Sequence, residues 1–121
     1  AAVAALTGNL KPSLEMTQEF TRRRARVMEL IQDIPGFKCF APEGAFYIFP
    51  DVSYYYGKSD GTQTVANAAD FSMYLLNTAN VSSVIGDAFG EPNCVRFSFA
   101  NSMPNIERAW ARIKEALAKL K

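Results

Sequence analysis

The stretch Cys94-Val95-Arg96-Phe97-Ser98-Phe99-Ala100 alternates two kinds of side chain: Val95, Phe97 and Phe99 fall on one face of an extended chain, and Cys94, Arg96, Ser98 and Ala100 on the other. This is a strand with one apolar face, and it decides the fold class, because such a strand needs partners beside it and a layer to cover it. It also puts a permanent cation into an apolar run. Arg96 needs an anionic partner or a route to water. An internal ion pair with Asp87 or Glu91, or an edge strand from which the side chain snorkels, would supply one. A ligand carboxylate would supply another, since the guanidinium offers two parallel donors to it.

Upstream of this strand, Gly86-Asp87-Ala88-Phe89-Gly90-Glu91-Pro92 reads as a turn-rich loop and Val81 to Ile85 as a strand. Val65 to Asn77 has helical spacing through Val65, Ala69, Ser72, Met73 and Leu76, with Ala68, Phe71 and Leu75 widening the stripe. Asp51 to Thr64 has no stable period and reads as a loop with a helical turn in it. Phe37 to Ala41 and Ala45 to Pro50 read as two short strands, and the brief Pro42-Glu43-Gly44 link predicts an antiparallel hairpin.

The N-terminal third is helical. Gly8-Asn9 stops a first short helix, and Pro12-Ser13 opens a long one, with Ser13 or Thr17 as its cap and Met16, Phe20, Val27, Ile31 and Ile34 as its apolar face. It ends before Pro35-Gly36. Arg22, Arg23, Arg24 and Arg26 on this helix read as a solvated or interdomain face in preference to an anion site. Downstream of the arginine strand, Ser102 and Pro104 start a last helix with Ile106, Trp110, Ile113, Leu117 and Leu120 as its stripe. The order helix, hairpin, helix, strand, strand, helix gives a two-layer α+β domain, helices on a small, largely antiparallel sheet.

Bulk properties narrow the function. The 121 residues make one domain, 49% apolar and 21% charged, as in an ordinary globular protein. A net charge of +1 gives no field for nucleic acid, and no such role is expected. Ala1 to Leu6 is apolar but too short for a membrane span, and no membrane role is expected either. Two cysteines, Cys39 and Cys94, in apolar runs suggest buried thiols in a reducing, cytoplasmic setting. Histidine is absent, which removes the commonest general base and metal ligand. A start in an alanine run without methionine suggests the C-terminal piece of something larger.

Many separate segments resemble the small domain of the aspartate aminotransferase family, pyridoxal-phosphate enzymes of the fold-type I group. They are Gly44-Ala45-Phe46-Tyr47 with Phe49-Pro50-Asp51-Val52-Ser53, Tyr56-Gly57-Lys58 with Asp60-Gly61, Asp70-Phe71 with Tyr74-Leu75-Leu76, Gly86 to Gly90, Val95 to Ala100, Ser102, and Ala109 with Arg112-Ile113. Ala1 to Leu6 and Arg22-Arg23 resemble the family's domain-connecting region, so the resemblance covers nearly the whole chain. It implies that residues 1–121 are a C-terminal small domain, with 1–34 including the end of the large-domain and connecting-helix region.

The resemblance further implies that Arg96 grips the substrate α-carboxylate and that Phe89 lies beside the substrate, while Gly44 to Tyr47 is a folding signature. The complete enzyme would be a homodimer passing an amino group from aspartate or a similar amino acid to a 2-oxo acid through pyridoxal phosphate. Its Schiff-base lysine is outside this chain: none of Lys11, Lys38, Lys58, Lys114, Lys119 or Lys121 has the serine-rich, glycine-flanked setting. Gly86 to Gly90 leads into a strand and is no phosphate cradle. The fragment alone is expected to be inactive. Two residues depart from the family pattern, Ile85 in place of a proline and Arg24 in place of an acid. The alternatives are another fold-type I enzyme, such as an aromatic aminotransferase or a lyase, and a non-catalytic carboxylate-binding module.

Overall fold

The computed structural model describes residues 1–121. Four helices, α1 (Ala2–Thr7), α2 (Lys11–Gln32), α3 (Ala68–Ala79) and α4 (Met103–Leu117), accompany three short strands, β1 (Tyr47–Ile48), β2 (Val84–Ile85) and β3 (Val95–Ser98). Two 3-10 turns, Ser53–Tyr55 and Gly86–Phe89, sit in the connections. The sheet is antiparallel throughout, in the order β1-β3-β2, so the arginine strand is the middle one. Tyr47 is opposite Ser98, Ile48 opposite Phe97, Val84 opposite Arg96 and Ile85 opposite Val95.

The alternation in β3 sorts its side chains as the pattern requires: Val95, Phe97 and Phe99 are buried, while Arg96 is half-buried and Ser98 and Ala100 are exposed. The buried face meets the helices. Phe97 packs on Trp110 of α4 at 5.4 Å between ring centroids, and Phe37 meets Tyr55, Phe71, Phe97 and Trp110 at 5.9–6.5 Å. All core residues are apolar or aromatic, and they join α2, α3, α4 and the sheet into one cluster. This is the two-layer α+β arrangement. No helix is long and apolar enough to cross a membrane.

The hairpin does not form. Phe37 to Ala41 and Ala45 to Pro50 form no ladder with each other; the one isolated bridge nearby joins Lys38 to Asp51, and β1 pairs with β3 instead. Phe40 is almost wholly exposed, and Ala45 adopts φ 58°, a left-handed turn that redirects the chain before Tyr47. The strand read at Val81 to Ile85 shortens to its last two residues.

α3 begins later than its spacing suggests. Val65 is buried but extended: its amide bonds to the Lys58 carbonyl at 2.9 Å and its carbonyl accepts from Gly57 at 2.8 Å. Asn67 is the cap, its side chain accepting from the Asp70 amide at 2.9 Å while the Asp70 carboxylate accepts from the Ala66 amide at 3.0 Å. The buried stripe is Ala68, Phe71, Tyr74, Leu75 and Ala79, so Ala69, Met73 and Leu76 face out.

In α2, neither Ser13 nor Thr17 caps. The Asn9 side chain accepts from the Lys11 amide at 2.9 Å, and the Thr17 hydroxyl donates back to the Ser13 carbonyl within the helix. Only Val27 and Ile31 of α2 are fully buried; Phe20 is half-buried and Met16 exposed. No residue from Ala1 to Gln18 is covered by the rest of the chain.

Candidate functional site

Arg96 points from the middle strand onto the sheet face that the helices leave open. Pairing explains what surrounds it. Tyr47 is opposite Ser98, two residues from Arg96 and on the same face, which makes Tyr47 and Arg96 diagonal neighbours. From the other flank, the Gly86–Phe89 turn after β2 brings Phe89 round. The Arg96 Cζ is 4.3 Å from the Tyr47 ring centroid and 4.4 Å from that of Phe89.

Each ring has its own support. Phe46 meets Tyr47 at 4.7 Å and Phe20 of α2 at 5.7 Å, and the Arg23 guanidinium lies 5.2 Å from the Phe20 centroid. Phe49 meets Phe89 edge-on at 5.8 Å. Phe89 is 45% exposed, so it belongs to this open face and not to the core.

The guanidinium of Arg96 has no hydrogen-bond or ion-pair partner within the chain. Asp87 and Glu91, the internal partners open to it from the sequence, are both exposed and neither pairs with it. Cys94 lies on the same face two residues away. Burial pushes its thiol up, with the Asp51 carboxylate adding to the shift, so it remains protonated and offers no anion. Hydrogen bonding from Ser53, whose amide is 2.7 Å from the carboxylate, holds Asp51 below its ordinary value. Cys39 and Cys94 are free and half-buried, less enclosed than their apolar settings suggest.

The arginines of α2 are used differently. Arg22 and Arg23 both pair with Glu19, at 2.9 and 2.8 Å; Arg26 bridges Glu29 and Glu107, at 3.0 and 2.9 Å. Arg24 donates to the Pro42 carbonyl at 2.9 Å. Each of the four thus has a partner inside the chain, unlike Arg96.

The lysines have other surroundings. Lys58 lies over the Tyr54 ring at 4.6 Å and Lys114 pairs with Asp33 at 3.7 Å; both line an apolar groove of about 260 Å³ to which Arg96 does not contribute. Lys11 pairs with Glu15 on exposed α2. No step of pyridoxal phosphate chemistry is assigned to these residues.

Tyr47 is the site residue that sequence reasoning misses. The signal that could find it is its phase: once Ile48 is placed in the core, Tyr47 and Phe49 must share the outer face.

Residues 1–113 match the model of the family described as aminotransferase class I and II. A bifunctional aspartate aminotransferase and glutamate/aspartate-prephenate aminotransferase from Petunia hybrida is 41% identical over 107 residues, 88% of this chain and 22% of that protein. The crystal structure of an aspartate aminotransferase from Rhizobium meliloti superposes with a TM-score of 0.92 at 36% identity, covering 99% of this chain and 30% of that one. An alanine aminotransferase from Pyrococcus furiosus gives a TM-score of 0.84 at 28% identity, covering 98% and 28%. The chain therefore spans less than a third of the length of these relatives.

Proposed function

The chain belongs to the class I and II aminotransferase family, and on that premise we propose that it is the C-terminal small domain of an aspartate aminotransferase-like enzyme, with Arg96 as its clamp for the substrate α-carboxylate. The family's transamination chemistry is supplied by pyridoxal phosphate, whose lysine and phosphate contacts this reading assigns to the rest of the enzyme. Amino acids and 2-oxo acids are the substrates. The carrying observation is the state of Arg96: a half-buried guanidinium on the open face, set against two rings and without an internal anion.

The chemistry follows from that state. A carboxylate approaching in the guanidinium plane gains two parallel charge-assisted hydrogen bonds, which fix the substrate's orientation as well as its position. The rings and the partial burial of Arg96 lower the exposure of the cation, which strengthens the pair beyond its value in bulk solvent. Both carboxylate-ended substrates, the amino acid and the oxo acid, present the same group to it. A complete protein that is a cytoplasmic homodimer is part of the reading; the two free thiols support the compartment.

The test is Arg96→Ala in the full-length enzyme. Transition-state stabilisation with amino-acid substrates should fall by about 2 to 5 kcal/mol while cofactor binding persists. Unchanged kinetics would make Arg96 structural. A reducible lysine adduct with pyridoxal phosphate on residues 1–121 alone, together with turnover, would overturn the division of labour. The similarity to an alanine aminotransferase favours one second reading, an aminotransferase of the same family acting on a different side chain; comparing aspartate with alanine as donors in the same assay separates the two.

A further inference from the structure

Tyr47 and Phe89 do more than occupy the neighbourhood of Arg96. Because β3 lies between β1 and β2, a ring from β1 and a ring from the turn leaving β2 approach the guanidinium from opposite flanks of its own strand. A ring face attracts the cation through its quadrupole and takes none of its N–H donors, which lie in the guanidinium plane. An arginine on a flexible stem is thereby limited in its rotamers without using the hydrogen bonds it needs for a ligand. An acidic partner would do the opposite, holding the side chain but consuming its donor edge.

The two rings are unequal. Phe89 sits on a turn, 45% exposed, braced by Phe49 alone among the aromatic residues. Tyr47 is half-buried, in the sheet, and continuous with Phe46, Phe20 and the Glu19-bound Arg23 of α2. Its hydroxyl makes no hydrogen bond within the chain, so the contact with Arg96 is made by the ring. We propose that Tyr47 is a positioning residue of the carboxylate site: its ring, with Phe89 opposite, fixes the plane of Arg96 and turns the N–H edge of the guanidinium toward the substrate.

This inference rests on the reading of Arg96 as the carboxylate clamp, and its test separates the two. In the full-length enzyme, KM and kcat for aspartate and the dissociation constant of succinate, a dicarboxylate that cannot react, are measured for Tyr47→Phe, Tyr47→Leu, Phe89→Leu and Arg96→Ala. Removal of either ring should raise KM and the succinate constant about 3- to 30-fold, the range of a cation–π contact, with kcat changed by less than about 3-fold. Tyr47→Phe, which keeps the ring, should stay within about 2-fold of the parent on all three measures.

If Arg96→Ala is impaired but the leucine variants bind succinate normally, the positioning role of the rings is wrong and the arginine assignment stands. If Arg96→Ala itself binds normally, the assignment falls and this inference with it. Equal impairment of Tyr47→Phe and Tyr47→Leu would give the role to the hydroxyl and overturn the proposal. Should Tyr47→Leu fail to fold, Tyr47→Met, which fills this half-buried position without a ring, takes its place in the same comparisons.

Discussion

The Tyr74 hydroxyl donates a 2.8 Å hydrogen bond to the backbone carbonyl of Ala116, joining α3 to α4 inside the core. Both residues are buried, so no water replaces the bond when it is lost. Tyr74→Phe should cost about 1 to 2 kcal/mol, read as a lower urea midpoint with an unchanged slope.

A second stability prediction concerns the entry to α3. Asn67→Ala removes the acceptor for the Asp70 amide and leaves the reciprocal Asp70 to Ala66 contact without its counterpart. A loss of about 1 kcal/mol is expected, measured by the same titration. Asn67→Asp should retain most of the stability, because the acceptor remains.

Gly86 begins the turn that delivers Phe89, and it is packed against backbone. A Cβ there would lie 2.0 Å from the Glu91 carbonyl oxygen and 2.6 Å from that of Cys94. Gly86→Ala should destabilise the domain by about 2 to 3 kcal/mol, since backbone cannot step aside as a side-chain tip can. A thermal melt indistinguishable from the parent's would refute this.

The neighbouring residue predicts the reverse. Ile85 has φ −64° and ψ 144°, the backbone that proline enforces, and it lies on the edge strand β2. Ile85→Pro should therefore fold with a stability within about 1 kcal/mol of the parent. A proline here is thus compatible with the backbone that leads into the Gly86–Phe89 turn.

Acid titration offers an independent check on the Ser59–Thr64 turn. Hydrogen bonds from Gln63 and Thr62 to the Asp60 carboxylate depress its pKa to about 2. A group depressed on folding stabilises the native state above its unfolded value, near 3.9, and that contribution is lost as the pH falls through its folded value. Between about pH 4 and pH 2 the parent should lose stability more steeply than Asp60→Asn, whose side chain does not titrate. Parallel pH profiles would show that Asp60 does not contribute.

The legibility of this chain follows the range of the contacts. The burial of Val95, Phe97 and Phe99 and the stripe of α4 can be read directly, because both depend on local periodicity. The pairing of Tyr47 and Ile48 with Ser98 and Phe97 cannot: the nearer partner, Phe37 to Ala41, is sufficient on pattern alone, and the Ala45 turn that spoils it leaves no glycine at that position. The face of α3 comes out wrong because Val65, buried in a loop that bonds back to Gly57 and Lys58, enters the helical count. Arg96 and Phe89 stand out from the sequence, yet their meeting with Tyr47 depends on the strand order.

The uncovered start of α2 turns this helix into a boom. Its root, at Val27 and Ile31, is gripped by the core, whereas its outer turns rest on nothing within the chain. With a rise of about 1.5 Å per residue, Lys11 stands roughly 13 Å out from Phe20, so a swing of about 10° at Phe20 carries the tip by roughly 2 Å. Phe20 bears on Phe46, and Phe46 on Tyr47. Through these rings α2 reaches the side chain that packs on Arg96.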